Sequence, residues 1–145
     1  MPSARLWLYN CTVMDLVIDT SAIIAVLVRE PDRIALVKTT RGADLLAPPS
    51  VHWEVGNAFS AMFKRQRLTL RQAHRALESY RRIPIRFSEV ALAQALRVSK
   101  DLDIYAYDAY VIACALKHRC ALLSLDRGLR QAARNAGVET VEVEL

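Results

Sequence analysis

The chain of 145 residues is long enough for one domain that buries a sizeable core without disulfide bonds. Its three cysteines and three histidines lack the spacing of a zinc site, and no apolar run is long enough to cross a bilayer. We therefore expect a soluble protein of the reducing cytoplasm, without a zinc centre or a membrane helix.

The formal net charge is +5, from 20 Lys and Arg against 15 Asp and Glu. If four of these acids share one pocket, 11 remain to balance 20 basic residues elsewhere, which leaves +9 on the rest of the surface. Such an excess favours a polyanionic partner, nucleic acid first. Basic residues on helix faces are often only solvated, so charge alone does not decide the partner.

Residues 1–13 have no clear hydrophobic period, and Met14 stands directly before the first predicted strand. We interpret residues 1–13 as an N-terminal extension of uncertain status and residues 14–145 as a single domain. Either Met1 or Met14 could be the start of the protein.

Short apolar runs alternate with segments of helical period along this domain, a pattern typical of a parallel α/β sheet covered by helices on both faces. Strands are predicted at 15–19, 44–47, 83–87, 121–125 and 138–143. Helices are predicted at 20–28, 31–40, 50–66, 69–81, 88–100, 106–118 and 127–136. Ser50, Thr69 and Ser88 are expected to cap helices, Pro31 to lie in a first turn and Gly137 to end a helix.

The stretch LVIDTSAIIAVL, residues 16–27, places the acid Asp19 between two apolar runs. A carboxylate there is costly to bury unless it is hydrogen-bonded or bound to a cation. Asp19 either caps the helix that follows or lies at the carboxyl end of a buried strand, where open α/β sheets bind ligands. The stretch alone leaves both interpretations open.

Asp126 repeats this arrangement, because ALLSLDRGL is again an apolar strand that ends in an acid before a helix. The first strands of the two halves of a doubly wound sheet are neighbours, about 4.8 Å apart. If the strand before Asp126 pairs with the strand before Asp19, both carboxylates project into one crevice.

Two further acids fall on helices. At 100° per residue, Asp108 lies on the apolar side of its helix, near the start. An N-cap or a functional acid would occupy this position, whereas a solvated surface acid would not. Glu54 lies at the edge of an apolar stripe with Asn57 close in direction, so it either looks into a pocket or is an ordinary surface glutamate.

Together these four acids favour a metal site. Clustered carboxylates raise each other's pKa unless a cation offsets their charge. Oxygen ligands without His or Cys suit Mg²⁺ or Mn²⁺, which can lower the pKa of bound water and hold phosphate oxygens for in-line attack.

Four motifs in order resemble those of PIN-domain nucleases, and within them the small VapC-type ribonuclease toxins, from Met14 onward. They are VIDTSAIIAVL around Asp19, PPSVHWEVGNAF around Glu54, YDAYVIACALKH around Asp108 and LLSLDRGLRQAA around Asp126. One departure is Tyr110, two residues after Asp108 where relatives often have tyrosine three residues after.

This resemblance implies a PIN-like open, twisted, mainly parallel five-stranded sheet of order 3-2-1-4-5. It implies that Asp19, Glu54, Asp108 and Asp126 bind Mg²⁺ or Mn²⁺, directly or through water, and hydrolyse RNA phosphodiester bonds. Ser21 would orient Asp19, and Asn57 and Ser124 would be supporting polar residues. A cognate antitoxin that inserts a segment near the active site, and a homodimer, are the implied protein partners.

Candidate RNA contacts and a partner anchor lie on the predicted helix surfaces. The basic candidates are Lys64, Arg65, Arg67, Arg81 and Arg82, which are equally well explained as solvated helix ends. Trp53 projects opposite the core stripe of its helix and is a candidate anchor for another protein.

Other Asp-bearing α/β folds fit poorly. A haloacid-dehalogenase-type phosphatase needs a second Asp where Ser21 stands, and a phosphorelay receiver needs an acceptor at the end of a middle strand. The alternatives that remain are an RNA-processing PIN nuclease that is not a toxin, and a catalytically silent metal-binding interaction domain.

Overall fold

The computed structural model describes residues 14–28 and 31–143, so the predicted extension at 1–13 lies outside the described residues. The strands are β1 (Asp15–Ile18), β2 (Asp44–Ala47), β3 (Ile85–Phe87) and β4 (Ala121–Leu123). The helices are α1 (Thr20–Leu27), α2 (Arg33–Thr40), α3 (Ser50–Lys64), α4 (Leu70–Arg81), α5 (Leu92–Leu102), α6 (Ala106–His118) and α7 (Arg127–Asn135).

The strands form one parallel sheet of order β3-β2-β1-β4. Val17 of β1 pairs with Leu46 of β2 on one side and with Leu122 of β4 on the other, and all three side chains are fully buried. Because the strands are parallel, their carboxyl ends meet at one edge of the sheet. Asp19 and Asp126 follow β1 and β4 at that edge.

The predicted fifth strand at 138–143 is wrong as a strand, because the described part of this segment forms a single bridge. The N–H of Leu122 donates to Glu139 O at 2.9 Å, the N–H of Val141 donates to Leu122 O at 2.9 Å, and Leu122 bridges Thr140. The segment lies beside β4, as the predicted order requires. Its partner β4 is itself only three residues long, which limits the pairing.

Helices cover the sheet. Helix α6 packs across β1, β2 and β4, with α5 against it, while α1 packs with α2, α3 and α4. The apolar face predicted for α6 is confirmed, since Val111 and Ile112 are buried. Within the described residues, no helix combines the length and the apolar character that crossing a bilayer requires.

The predicted helix ends are partly correct. Thr69 caps α4 in a capping box with Gln72, and Gly137 follows α7 with a φ of +83°. Ser50 is not a cap, because α3 begins at that residue and its hydroxyl is buried without a partner. Ser88 is not a cap either, since it continues the pairing of β3 by donating its N–H to Ala47 O. Helix α2 begins at Arg33, after Pro31.

We expect Thr69→Ala to lower the free energy of unfolding by about 1 kcal/mol, because the N–H of Gln72 in the first turn of α4 loses the Thr69 hydroxyl that caps it. Ser50→Ala is the matched control, and it should leave stability unchanged or raise it slightly, because no hydrogen bond is lost. Urea unfolding measures both. Equal losses in the two variants would contradict this assignment of caps.

Candidate active site

Asp19 directly follows β1 and is also the N-cap of α1. Both interpretations of its position, as a helix cap and as an acid at the end of a buried strand, are therefore correct. Its side chain is 5 % exposed. Oδ1 accepts from the N–H of Ala22 at 3.2 Å, and the N–H of Asp19 donates to Leu123 O at 3.3 Å. The cap and the strand pairing thus fix this carboxylate at the sheet edge.

Two serine hydroxyls hold the same carboxylate. The hydroxyl of Ser21 lies 2.7 Å from Oδ1 and 2.9 Å from Oδ2 of Asp19, to which it donates, and Ser124 Oγ donates to Oδ2 at 2.7 Å. Both hydroxyls also accept backbone N–H groups, Ser21 from Leu125 at 2.9 Å and Ser124 from Asp126 at 3.0 Å. Because Ser124 follows β4, these bonds tie the ends of two neighbouring strands together.

Burial raises the pKa of the Asp19 carboxyl above its ordinary value of 3.8, and the negative charge of Asp126 adds to this. The hydrogen bonds from Ser124, Ser21 and Ala22 lower the pKa of Asp19 but do not offset its burial. The carboxylate is held in place, yet its charge is not neutralised by the protein.

Asp126 is the N-cap of α7, where its Oδ1 accepts from the N–H of Leu129 at 2.9 Å. Its side chain is exposed, unlike that of Asp19. Asp126 therefore places a solvent-facing carboxylate beside the buried one.

Asp108 lies in the first turn of α6 and is partly buried. The cap interpretation is wrong for this residue, because the N-cap of α6 is Tyr105 and Asp108 lies inside the first turn of the helix. Burial raises the pKa of Asp108, and the charge of Asp126 raises it further. An acid with no capping bond that faces another acid is a candidate ligand rather than a structural cap.

Glu54 lies one turn into α3 and is partly buried. Its Oε2 is inaccessible to water and has no hydrogen-bond partner among the described residues. Burial, followed by the charges of Asp108 and Asp19, raises the pKa of Glu54 from 4.5 to about 7. A buried carboxylate oxygen without a partner is costly, so Glu54 is not an ordinary surface glutamate.

Each of the four carboxyl groups is repelled by two of the others. Glu54 is repelled by Asp108 and Asp19, and Asp126 repels both Asp19 and Asp108. Of the supporting residues, Ser21 and Ser124 contact Asp19, whereas Asn57 is exposed and makes no hydrogen bond to the four acids among the described residues.

The chemistry of the four acids fits a divalent cation. The donors are all carboxylate oxygens, and Glu54 Oε2 is buried without a partner. Within residues 14–28 and 31–143, no three His, Cys, Asp or Glu side chains form a group that could hold one ion. A group of three direct carboxylate ligands is therefore not formed among these residues.

None of the basic candidates forms an ion pair with the four acids among the described residues. Lys64, Arg65, Arg67, Arg81 and Arg82 are all exposed, and two of them, Arg65 and Arg67, line a groove of about 920 Å³. Trp53 is 74 % exposed, as predicted, with its ring edge-on to His52 at a centroid distance of 4.9 Å.

Sequence reasoning missed three residues near these features. Thr20 directly follows Asp19, and its hydroxyl is buried without a hydrogen-bond partner among the described residues. Its place next to Asp19 is the feature of the sequence that could have identified it. Arg33 and Arg75 line the same groove as Arg65, from helices distant in sequence. Nothing in their local patterns indicates that they share a surface.

Comparison with known proteins defines the class. Residues 16–135 match the PIN domain family, which covers most of the chain. The solved structure of PAE2754 from Pyrobaculum aerophilum has the same fold, with a TM-score of 0.69 at 22 % identity over 88 % of this chain and 84 % of its own. The chain therefore belongs to the PIN-domain family.

Within that family the similarity is to VapC proteins. "Ribonuclease VapC9" of Mycobacterium tuberculosis and "VapC ribonuclease Mb0985" of Mycobacterium bovis are each 30 % identical to this chain over 112 residues. The matches cover 77 % of this chain and 85 % of each relative. The chain is thus a PIN domain of the VapC type.

We expect the stability of the wild-type protein relative to Glu54→Gln to fall as the pH rises from 4.5 to 7. Below this range Glu54 is protonated in the folded and unfolded states, whereas above it the folded state must hold a charge that the unfolded chain solvates freely. Because the partly exposed side chain is screened by solvent, the variant should be more stable by about 1–2 kcal/mol at pH 8.

Urea unfolding of both proteins at pH 4 and pH 8, with EDTA present, measures this difference. The other acids are common to both proteins, so the difference isolates Glu54. A stability difference between the two proteins that does not change with pH would show that Glu54 titrates as an ordinary surface acid.

Proposed function

We propose that this protein is a divalent-metal-dependent endoribonuclease that hydrolyses RNA phosphodiester bonds and serves as the toxin of a toxin–antitoxin pair. The VapC relatives are named ribonucleases, which supports the reaction class. The observation that carries the proposal is the set of mutually repelling carboxyl groups, with Glu54 Oε2 buried and unpartnered among them.

Asp19, Glu54, Asp108 and Asp126 would together hold Mg²⁺ or Mn²⁺, with one or two of them as direct ligands and the others acting through bound water. When bound, such an ion lowers the pKa of water and neutralises the charge that develops on the phosphate oxygens. The unsatisfied negative charge of these acids is the property that a cation would relieve.

The protein's own residues have separate roles in this proposal. Ser21 and Ser124 keep the carboxylate of Asp19 in one orientation through bonds of 2.7 Å each, so no reorganisation is needed when the substrate arrives. Glu54, whose carboxyl is partly buried and repelled by Asp108 and Asp19, would help hold the cation directly or through water. Asn57, which faces solvent, would act only through a bound substrate.

The proposed partners are RNA, a cognate antitoxin protein and a second copy of this chain. We place the protein in the cytoplasm, where RNA is available and where the unpaired thiols of Cys114 and Cys120 stay reduced. The exposed ring of Trp53 is a candidate anchor for one of the protein partners.

We expect Asp108→Asn to lower the rate of RNA cleavage about 100-fold or more, because the amide removes a negative charge at the same volume. Purified protein with mixed RNA and Mg²⁺ or Mn²⁺ measures this, and EDTA should abolish cleavage by the wild-type protein. Asp101→Asn, an exposed acid on α5, is the matched control and should cleave at the wild-type rate.

Cleavage that survives in Asp108→Asn would indicate a contaminating ribonuclease or a wrong assignment of the acids. If the wild-type protein cleaves nothing with either metal, the catalytically silent interaction domain becomes the better description.

The toxin role is tested in cells. Expression of the wild-type chain should arrest growth, expression of Asp108→Asn should not, and co-expression of a cognate antitoxin should restore growth. Unimpaired growth on expression of an enzyme that cleaves RNA in vitro would favour an RNA-processing role instead.

A further inference from the structure

Helices α1 and α3 pack against each other, and the line of contact between them, here called the α1–α3 seam, leads away from the acids. Glu54, Ala58 and Met62 recur at four-residue intervals, so they lie along one face of α3. Ala58 lines a small cavity of about 250 Å³ that also contacts Thr20 and Ser21, which follow Asp19. Met62 lines the larger groove of about 920 Å³. The acids, the small cavity and the groove therefore follow one another along α3.

The far end of the seam is strongly basic. Four arginines line the groove: Arg33 at the start of α2, Arg65 and Arg67 after α3, and Arg75 on α4. No Asp or Glu lines it among the described residues. Among residues 14–28 and 31–143, the ion pairs are Arg86–Asp15 and Arg134–Glu142. None of the four groove arginines therefore forms an ion pair within these residues.

We infer that the RNA strand bound at the acids continues along the α1–α3 seam, and that the groove arginines bind its phosphates. This inference rests on the proposed ribonuclease function and adds the direction and length of the bound substrate. Arginine suits this role because its planar guanidinium donates two hydrogen bonds to a phosphate and stacks on bases.

The length of the seam sets the size of the substrate. From Glu54 to Met62 the helix rises by about 12 Å at ~1.5 Å per residue. A stacked strand advances ~3.4 Å per nucleotide, so the groove begins about three to four nucleotides from the cleaved bond. An RNA of about four nucleotides centred on the acids would not reach the arginines, whereas one of about 12 would.

The test uses the Asp108→Asn protein, which should bind RNA without cutting it, and measures binding by fluorescence anisotropy of labelled RNAs of 4 and 12 nucleotides. Adding Arg65→Gln and Arg67→Gln, or Arg33→Gln and Arg75→Gln, should weaken binding of the 12-nucleotide RNA about 10-fold or more. Each pair should also reduce the dependence of log affinity on log salt by about 1.4, from two lost phosphate contacts. Binding of the 4-nucleotide RNA should not change.

Arg71→Gln on α4 and Arg97→Gln on α5 are matched controls, since both arginines are exposed outside the groove. Circular dichroism of each variant checks that it is folded. Equal weakening by the controls would show that only net charge matters and would overturn the inference, as would unchanged binding in the groove variants.

A labelled 12-residue poly-glutamate peptide tests the other class of occupant. If the groove variants no longer bind the peptide but bind RNA as tightly as before, the groove is a docking site for an acidic protein and the inference is wrong. If the wild-type protein cleaves RNA while the groove variants bind RNA normally, the inference alone fails. If the wild-type protein neither cleaves nor binds RNA, the proposed function fails with it.

Discussion

The carboxylate of Asp19 is buried at the end of the central strand, where a charge is costly unless donors surround it. The donors come from the backbone of Ala22 and from the hydroxyls of Ser21 and Ser124. Ser124 follows the neighbouring strand β4, and it also accepts the N–H of Asp126. Satisfying one buried charge thus brings the ends of two strands together and places a second acid beside the first.

The same edge of the sheet holds more negative charge than the protein neutralises. Burial and mutual repulsion raise the pKa of Asp19, Glu54 and Asp108. This arrangement costs stability when the acids are ionised, and a cation would recover that cost. A phosphate would add further negative charge at this point. The proposed site therefore needs a cation at the acids and a basic surface along the path of the substrate.

Much of the fold and part of the site follow from local patterns. Asp19 and Asp126 are predictable because each ends an apolar strand directly before a helix, the place where parallel sheets bind ligands, and Asp108 because its helical projection faces the core. The fifth strand is wrong because β4 is three residues long and residues 138–143 pair with it through one bridge, which strand propensity does not reveal. Ser50 and Ser88 fail as caps because tertiary contacts decide where their helices begin.

The remaining features depend on contacts between distant segments. Whether Glu54 faces a pocket or solvent depends on Asp19 and Asp108, which approach it only in the folded chain. Arg33 and Arg75 share a groove with Arg65 because α2, α4 and the end of α3 converge there. A single sequence gives the composition of such a surface but not which of its basic residues come together.

The proposed function requires that the acids share one pocket whose charge a divalent cation relieves. Carbon-13 NMR titration of the Glu54 side-chain carboxyl, with and without Mg²⁺, tests this most directly. We expect this carboxyl to titrate near pH 7 in EDTA, because of its burial and the charges of Asp108 and Asp19, and at markedly lower pH when Mg²⁺ is added. A carboxyl that titrates near the ordinary value of 4.5 and does not respond to Mg²⁺ would contradict the shared pocket.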